Sequence, residues 1–565
     1  KHLWSIPRNF RHCAIPSDSS SLTRVTSAIV DFLAVMPRAL ELPEDFSSKT
    51  PTSSTVHSVV TDLTIRFSPS NVPPSSCELD PRKWRRIEKE LYQYTSLTTA
   101  WLYVELADEE EIAAQDLLVI VDIAVGESPS NCQPGRSWEG RPCGIWLLRS
   151  KYPGQKDRAV TAVDILFGID AVDPRPRWAL MQSSLQLHAQ PEAPVARLSI
   201  LRGRVEPPPP DAQTALRVRK DGTFKIVQIS DTHMVTGVGV CKDAIDARGK
   251  NLPESEADPL TVDFIGKILD AERPDLVVLT GDQLHHDISD SQSALFKVLA
   301  PIIDRSIPFA AVFGNHDSEG DHALSRKEQM SILQSLPGSL CESGPEQVDG
   351  IGNFYLQVLA PAPSQLPLST LYFFDSHGQK QSKTRDPDYH AIKESQIEWF
   401  TKTALEQRRA REENGNDSRF HISLAFLHIP LPEFKDPRLK IRNGHQREPP
   451  ECPSYNSRLY DALVRGGISA VGCGHDHVND YCARLPQPPR QDNEKPAQPG
   501  PWLCYGGGSG FGGYGSYDGT GCHRRIRVWE LHTNTGGLTT WKWVEYATNR
   551  VDELVLVESG VVVDP

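Results

Sequence analysis

No apolar run in these 565 residues reaches the ~20 residues that a membrane-spanning helix needs. The chain starts at Lys1 rather than Met and shows no signal-peptide pattern. That start is compatible with an excised or processed piece from which an N-terminal anchor was removed. The eleven cysteines are scattered and include no CxxC pair. Neither a zinc ribbon nor a disulfide scaffold is therefore indicated. Cys132 with Cys143, or pairs among Cys482, Cys504 and Cys522, are the candidate bridges in an oxidising compartment. Free thiols are the competing reading, and cytoplasm is expected ahead of a secretory or vacuolar space. One glycosylation sequon, Asn416-Asp-Ser418, does not discriminate. No internal repeat is visible. Positive charge is not in excess: 60 Lys and Arg face 73 Asp and Glu, a net charge of -13. A broad nucleic-acid surface is thereby excluded. A local site for an anionic substrate is not, because bound metals outweigh distant surface charge.

What is present is an ordinary soluble composition, 38% hydrophobic and 24% charged, in a chain long enough for two or more domains. Residues 1–50 are weakly patterned, with one helix expected over Thr23–Met36. Residues 51–205 read as a mainly-β accessory domain, a sandwich, with strands at Val59–Phe67, Trp101–Ala107, Leu117–Val125, Gly144–Ser150, Val160–Phe167 and Ala196–Leu201. A helical patch over Trp84–Tyr94 interrupts them. Asp108-Glu-Glu-Glu111 starts a short helix, where acidic side chains favour the N-terminus. The run Glu206-Pro-Pro-Pro-Pro-Asp211 opens a stiff linker over 206–221.

From residue 222 to 550 strands and helices alternate, which predicts a layered α/β domain; residues 551–565 are left as a tail. Five short blocks there each end a hydrophobic run. They are Asp231-Thr-His233, Gly281-Asp282, Gly314-Asn-His-Asp317, His428 and Gly474-His-Asp-His477. Ligands bind beyond the carboxyl ends of strands in such sheets, and every block sits at one. Together they offer carboxylates, imidazoles and a carboxamide. A phosphate ester resists attack because negative oxygens shield its phosphorus. Two metal ions roughly 3.5–4 Å apart can neutralise those oxygens and activate water. Asp282 is the natural bridging carboxylate, and imidazole with carboxylate suits iron, zinc or manganese. Singly, each residue is better read as a strand-end polar cap; jointly, metal binding is the stronger reading.

The order DxH, GD, GNHD, H, GHxH resembles the calcineurin-like metallophosphoesterase superfamily over roughly residues 222–550. FGIDAVDPR at 167–175, IVQISDTHM, TGDQLHHD, GCGHDHVNDYC and CYGGGSGFGGYG are similar to a fungal cell-cycle-regulator (size-control) phosphatase branch related to purple-acid-phosphatase-like proteins. The resemblance implies an α+β four-layer sandwich and a binuclear metal-dependent phosphomonoesterase, acting on phosphate esters and plausibly on phosphoproteins. Hydroxide held by the metals would attack in line, with no covalent phosphoenzyme. It further implies that Asp231, His233, Asp282 and His477 hold one metal and Asp282, Asn315, His428 and His475 the other. His316 would assist the leaving group, with Asp317 polarising it, and Asn315 and His316 would contact substrate.

One departure stands out. Purple acid phosphatases carry a Tyr three residues after the bridging Asp, and here that position is His285. A colourless centre is expected, with His285 an extra ligand or a neighbour of the ligands. His286 resembles in position a leaving-group histidine of acid-sphingomyelinase-like relatives; loop surface is the competing reading. The run Tyr505–Tyr514 lacks the Lys-Ser/Thr of a nucleotide loop and reads as a close-approach turn, with Tyr514 a candidate substrate contact. Residues 432–454 form an irregular basic stretch, either a substrate wall or a solvated loop. Two alternatives stay open: a phosphodiesterase acting on nucleotides or phospholipid headgroups, and an inactive metal-binding interaction protein.

Overall fold

The computed structural model describes residues 58–564, except 75–78, 131–136, 153–155, 191–192, 204–214, 253–254, 382–387, 414–419 and 487–498. The helix expected over Thr23–Met36, Cys132, the sequon and most of the proline linker lie outside the described residues.

Residues 58–203 fold as three antiparallel sheets of three strands each. Ser58–Pro69, Trp84–Arg86 and Thr98–Asp108 make the first. Leu118–Val125, Trp138–Arg141 and Ile145–Lys151 make the second. Val160–Phe167, Trp178–Ser184 and Ala196–Arg202 make the third. Alternate residues of each opening strand enter one shared core: Val60, Leu63 and Ile65, then Ile120, Ile123 and Val125, then Val163, Ile165 and Phe167. The region is thus a three-sided prism rather than the expected two-layer sandwich.

A threefold repeat underlies it. Each opening strand carries a bulge and an aspartate, Asp62, Asp122 or Asp164. Its carboxylate accepts the N–H of the next residue at 2.7, 3.0 and 2.7 Å. Each second strand begins with a tryptophan, Trp84, Trp138 or Trp178. The aspartates are paired around a ring, each to a base from the next unit. Arg141 binds Asp62 at 2.8 Å, Arg202 binds Asp122 at 2.6 Å, and Lys89 lies 3.4 Å from Asp164. The expected helix over Trp84–Tyr94 is absent. Trp84–Arg86 pairs as an edge strand, and the buried Glu90 ties down the following turn by accepting from Ala100 and Tyr94. Asp108 does cap the helix Glu109–Gln115, accepting from Glu111 at 2.7 Å.

The remainder is a four-layer sandwich. One seven-stranded sheet runs Phe309–Val312, Leu276–Thr280, Thr223–Ile229, Arg525–His532, Gly537–Val544, Val551–Glu558, Val561–Val562. Its first three strands are parallel. The other runs Phe354–Leu359, Pro367–Phe373, Ile422–Phe426, Ile468–Cys473, Trp502–Tyr505, Cys482–Arg484, Lys440–Asn443. Ile226, Val278 and Val312 of one meet Phe373, Phe426 and Trp502 of the other between the layers. Helices Ala257–Glu272, Ser291–Ile303 and Arg326–Gln334 cover the outer face of the first sheet through Val227, Ile229 and Leu279. Helices Glu394–Glu413 and Leu459–Gly466 cover the second through Phe400 and Leu463. Strands buried on both faces read as continuous apolar runs, which is why they were legible. The stretch assigned as a tail is instead a strand: Val551–Glu558 pairs with Gly537–Val544. Cys482 and Cys504 face each other across adjacent strands and form a disulfide, while Cys143 and Cys522 are free.

Candidate metal centre

The five blocks converge where the parallel strands of both sheets end. Loop backbones continue the strand ladder: Asp231 N–H donates to Gly281 O and His233 N–H to Asp282 O, both at 3.0 Å. Asp231, His233, Asp282 and His475 all take positive φ, between 48° and 78°. Left-handed backbone is costly for such residues and collects at functional sites. Close approach explains two glycines. A Cβ on Gly314 would lie 2.0 Å from Asp282 Oδ1, and one on Gly513 would lie 2.5 Å from His477 Cε1. The glycine run is thus the wall against which the ligand imidazoles pack.

Two groups of ligand atoms result, Asp231 with His233 and His477, and Asp282 with His428 and His475, each gathered within 4.8 Å. Asp282 Oδ2 stands between them, 3.3 Å from His428 Nε2 and 3.7 Å from His233 Nε2. The fit to a cation can be judged from what these atoms bond. His428 Nδ1 faces Thr280 O at 2.8 Å and His477 Nδ1 faces Tyr514 O at 3.0 Å. Each Nδ1–H therefore donates to a carbonyl, leaving the Nε2 lone pair turned inward. His428 Nε2, His475 Nε2 and Asn315 Oδ1 are buried with no hydrogen-bond partner among the described residues. Orphaned acceptors of this kind are rare in folded proteins. Burial also raises the Asp231 carboxyl to about 7, with the charge of Asp282 adding to the rise. A cation beside it would reverse both effects. The donor set fits a pair of nitrogen- and oxygen-ligated metal ions.

His316 opens a single 3₁₀ turn, His316–Ser318. Its N–H donates to Asp282 Oδ1 at 2.9 Å, which places the ring over the centre, Nε2 4.0 Å from Asp282 Oδ2. Asp317 does not touch the ring, contrary to expectation. It is fully buried and accepts three backbone N–H groups, of Gly314 at 2.7 Å, Leu284 at 2.9 Å and Asp282 at 3.0 Å. Glu319 is the partner of the imidazole, with Oε2 2.5 Å from His316 Nδ1. Burial alone would lower the His316 pKa, but Asp282 and then Glu319 raise it to about 9.

Residues 224–479 match the calcineurin-like phosphoesterase family. The chain is 34% identical over 375 residues to probable inactive purple acid phosphatase 28 of Arabidopsis thaliana, covering 61% of this chain and 86% of that protein. The chain belongs to the calcineurin-like phosphoesterases. It is also similar to phosphatase DCR2 of Saccharomyces cerevisiae, 37% identical over 414 residues that cover 71% of this chain and 66% of that protein. Among solved structures, a dimetal phosphatase from Danio rerio matches 59% of this chain and 99% of its own at 13% identity and a TM-score of 0.37.

Three further predicted residues of this phosphoesterase sit beside the centre without joining either group. His285 is bonded on both nitrogens, Nδ1 to Asp287 at 2.6 Å and Nε2 to Lys242 Nζ at 2.7 Å. His286 is exposed, its ring 4.2 Å from that of His285 and 5.6 Å from that of His316. Tyr514 stacks on His477 at 3.9 Å, and its hydroxyl is engaged by Glu448 at 2.9 Å and His477 N at 3.0 Å. Its hydroxyl proton is committed to Glu448, and the ring is fixed against His477. Glu448 comes from the 432–454 stretch, which at this residue is buried and bonded to Tyr514 and Val478 and is not a solvated loop. Sequence reading missed Lys242, Glu319 and Glu448. Only Glu319 carried a signal, standing three residues after His316 on one turn.

Proposed function

We propose that this phosphoesterase is a binuclear metal-dependent phosphomonoesterase. Asp231, His233 and His477 would hold one ion, His428, His475 and Asn315 the other, with Asp282 between them. When bound, the two ions supply charge neutralisation for the phosphoryl oxygens and activation of water. The chain's own part is orientation and proton supply. Thr280 O and Tyr514 O fix the tautomers of His428 and His477. Asp317 shapes the turn that carries His316. His316, charged through Glu319, gives a proton to the departing alkoxide. The observation that carries the reading is the orphaned, inward-turned His428 Nε2 and His475 Nε2 beside the Asp282 carboxylate.

Three relatives at 33–34% identity bear the name "probable inactive purple acid phosphatase", which keeps a non-catalytic metal protein as the second reading. Element analysis with a phosphate-release screen decides between them. About two metal ions per chain and turnover of an aryl phosphate above a bis-aryl phosphate are expected. Asp282→Asn should lose both metal and turnover. Unchanged activity in that variant overturns the first reading, and bound metal with no turnover of either ester supports the second.

A further inference from the structure

Lys242, nine residues after His233, stands at the rim of the centre, its Nζ 2.7 Å from His285 Nε2. Lys242 is held at both ends of its peptide. Its N–H donates to Phe511 O at 2.9 Å, and its carbonyl accepts from the Arg524 guanidinium. The same guanidinium donates to Gly513 O at 2.9 Å. Gly513 is the residue packed against His477 and His233. Lys242 is therefore tied to the wall that backs the ligands and is not a loosely placed surface lysine.

Its side chain points at the centre. The ammonium can only donate, so His285 Nε2 must accept at 2.7 Å and Nδ1–H must donate to Asp287. His285 is buried and neutral in this arrangement, its pKa lowered by burial and by Lys242. Two of the three ammonium N–H donors remain. No carboxylate among the described residues forms an ion pair with Lys242. The nearest in sequence, Asp243, is turned to Gly515 N–H, and Asp287 faces the far side of His285. His286, also exposed, stands between His285 and His316. Lys242, His286 and His316 thus form a rim of donors beside His233, on a chain whose net charge is -13. A lysine left without an acid there contributes only if something anionic arrives.

We propose that Lys242 and His286 form a subsite for a second anionic group of the substrate, a phosphate or carboxylate a few bonds from the scissile phosphoester. The inference deepens the phosphomonoesterase reading and rests on it. It narrows the substrate to multiply anionic phosphate esters, whether a small bisphosphate or a phosphopeptide with acidic neighbours.

Calorimetry on the metal-loaded protein with methylphosphonate and phosphonoacetate tests the subsite without turnover, since the two differ only in the second anion. Wild type should prefer phosphonoacetate about tenfold or more. Lys242→Ala should cut that preference at least fivefold, and Lys242→Arg should restore most of it. No preference in wild type, or the same preference in Lys242→Ala, overturns the proposal. Kinetics then assign the source. A phosphoserine peptide flanked by Asp is compared with its Ala-flanked twin, and a sugar bisphosphate with its monophosphate. A Lys242-dependent gain in kcat/KM is expected in one pair, and equal losses with and without the second anion overturn the proposal. Intact phosphonoacetate preference with no turnover at all would count against hydrolysis rather than against the subsite.

Discussion

Glu319 Oε2 lies 2.5 Å from His316 Nδ1, while Asp317, the carboxylate of the GNHD block, bonds backbone N–H groups instead. The pairing splits two roles expected to fall on one residue. Glu319 holds the charge of His316, and Asp317 holds the shape of the turn.

The first consequence concerns Glu319→Gln. In metal-free protein the His316 ring should titrate at about 9, charged below that value and neutral above it. Removing the Glu319 charge should lower the midpoint, so the proton is lost at lower pH. Nuclear magnetic resonance of the ring C–H signals measures this directly. On alkyl phosphates, whose leaving groups need protonation, kcat/KM should fall about tenfold, with a smaller loss on aryl phosphates. An unmoved titration would remove Glu319 from the argument.

Asp317→Asn should behave differently. One carboxylate accepts three buried N–H groups, and each left unpaired costs about 1–3 kcal/mol. An amide retains a single acceptor oxygen, so at least one N–H is stranded. A stability loss of about 2–4 kcal/mol is expected in denaturant titrations, with weaker metal retention. Losses on aryl and alkyl phosphates should be equal, because the damage is to the centre and not to proton transfer. A loss confined to alkyl phosphates would restore the role first read from sequence.

Much of this molecule was legible because its chemistry sits at the ends of apolar runs. Strands such as Leu276–Thr280 and Trp502–Tyr505 are buried along their whole length, so they stand out as unbroken apolar runs. The ligand blocks follow directly from those ends. The prism was not legible for the opposite reason. Its repeat shares little more than Asp62, Asp122 and Asp164 and three tryptophans, separated by loops of unequal length. Spacing-based reading sees no period there. Lys242 was invisible because it lies 43 residues from His285 in sequence and meets it only after folding. Strand Cys482–Arg484 was missed because it is three residues long, and Val551–Glu558 because only Leu556 and Val557 of it are buried.

The ring of the prism supplies a graded test. Arg141 grips Asp62 with two bonds of 2.8 Å, both side chains about one-fifth exposed, while Asp122 and Arg202 are each more than a third exposed. Asp62→Ala should cost about 1–3 kcal/mol, because a bidentate, half-buried pair and the Leu63 N–H contact go together. Asp122→Ala also loses its Ile123 N–H contact, but its single, more exposed ion pair adds under about 1 kcal/mol, so the total loss should be smaller than for Asp62→Ala. Denaturant midpoints of the two variants give the order, and the reverse order would mean that the ring does not hold the sheets.

A last prediction concerns acid stability and His421, next to the strand Ile422–Phe426. Its ring is bonded as a neutral tautomer, with Nδ1–H toward Pro367 O at 3.4 Å and Nε2 3.1 Å from Thr370 Oγ1. Burial, with a further push from Arg411, lowers its pKa to about 3. The unfolded chain would titrate near 6.5. Its contribution is fully present above that value and is lost as pH falls from about 6.5 toward 3, because the unfolded state then binds the extra proton. His421→Gln keeps a donor and an acceptor but removes the titration. Between pH 7 and pH 5 wild type should therefore lose about 1–2 kcal/mol more stability than the variant, read from urea melts at each pH. Parallel losses in the two proteins would place the acid sensitivity elsewhere.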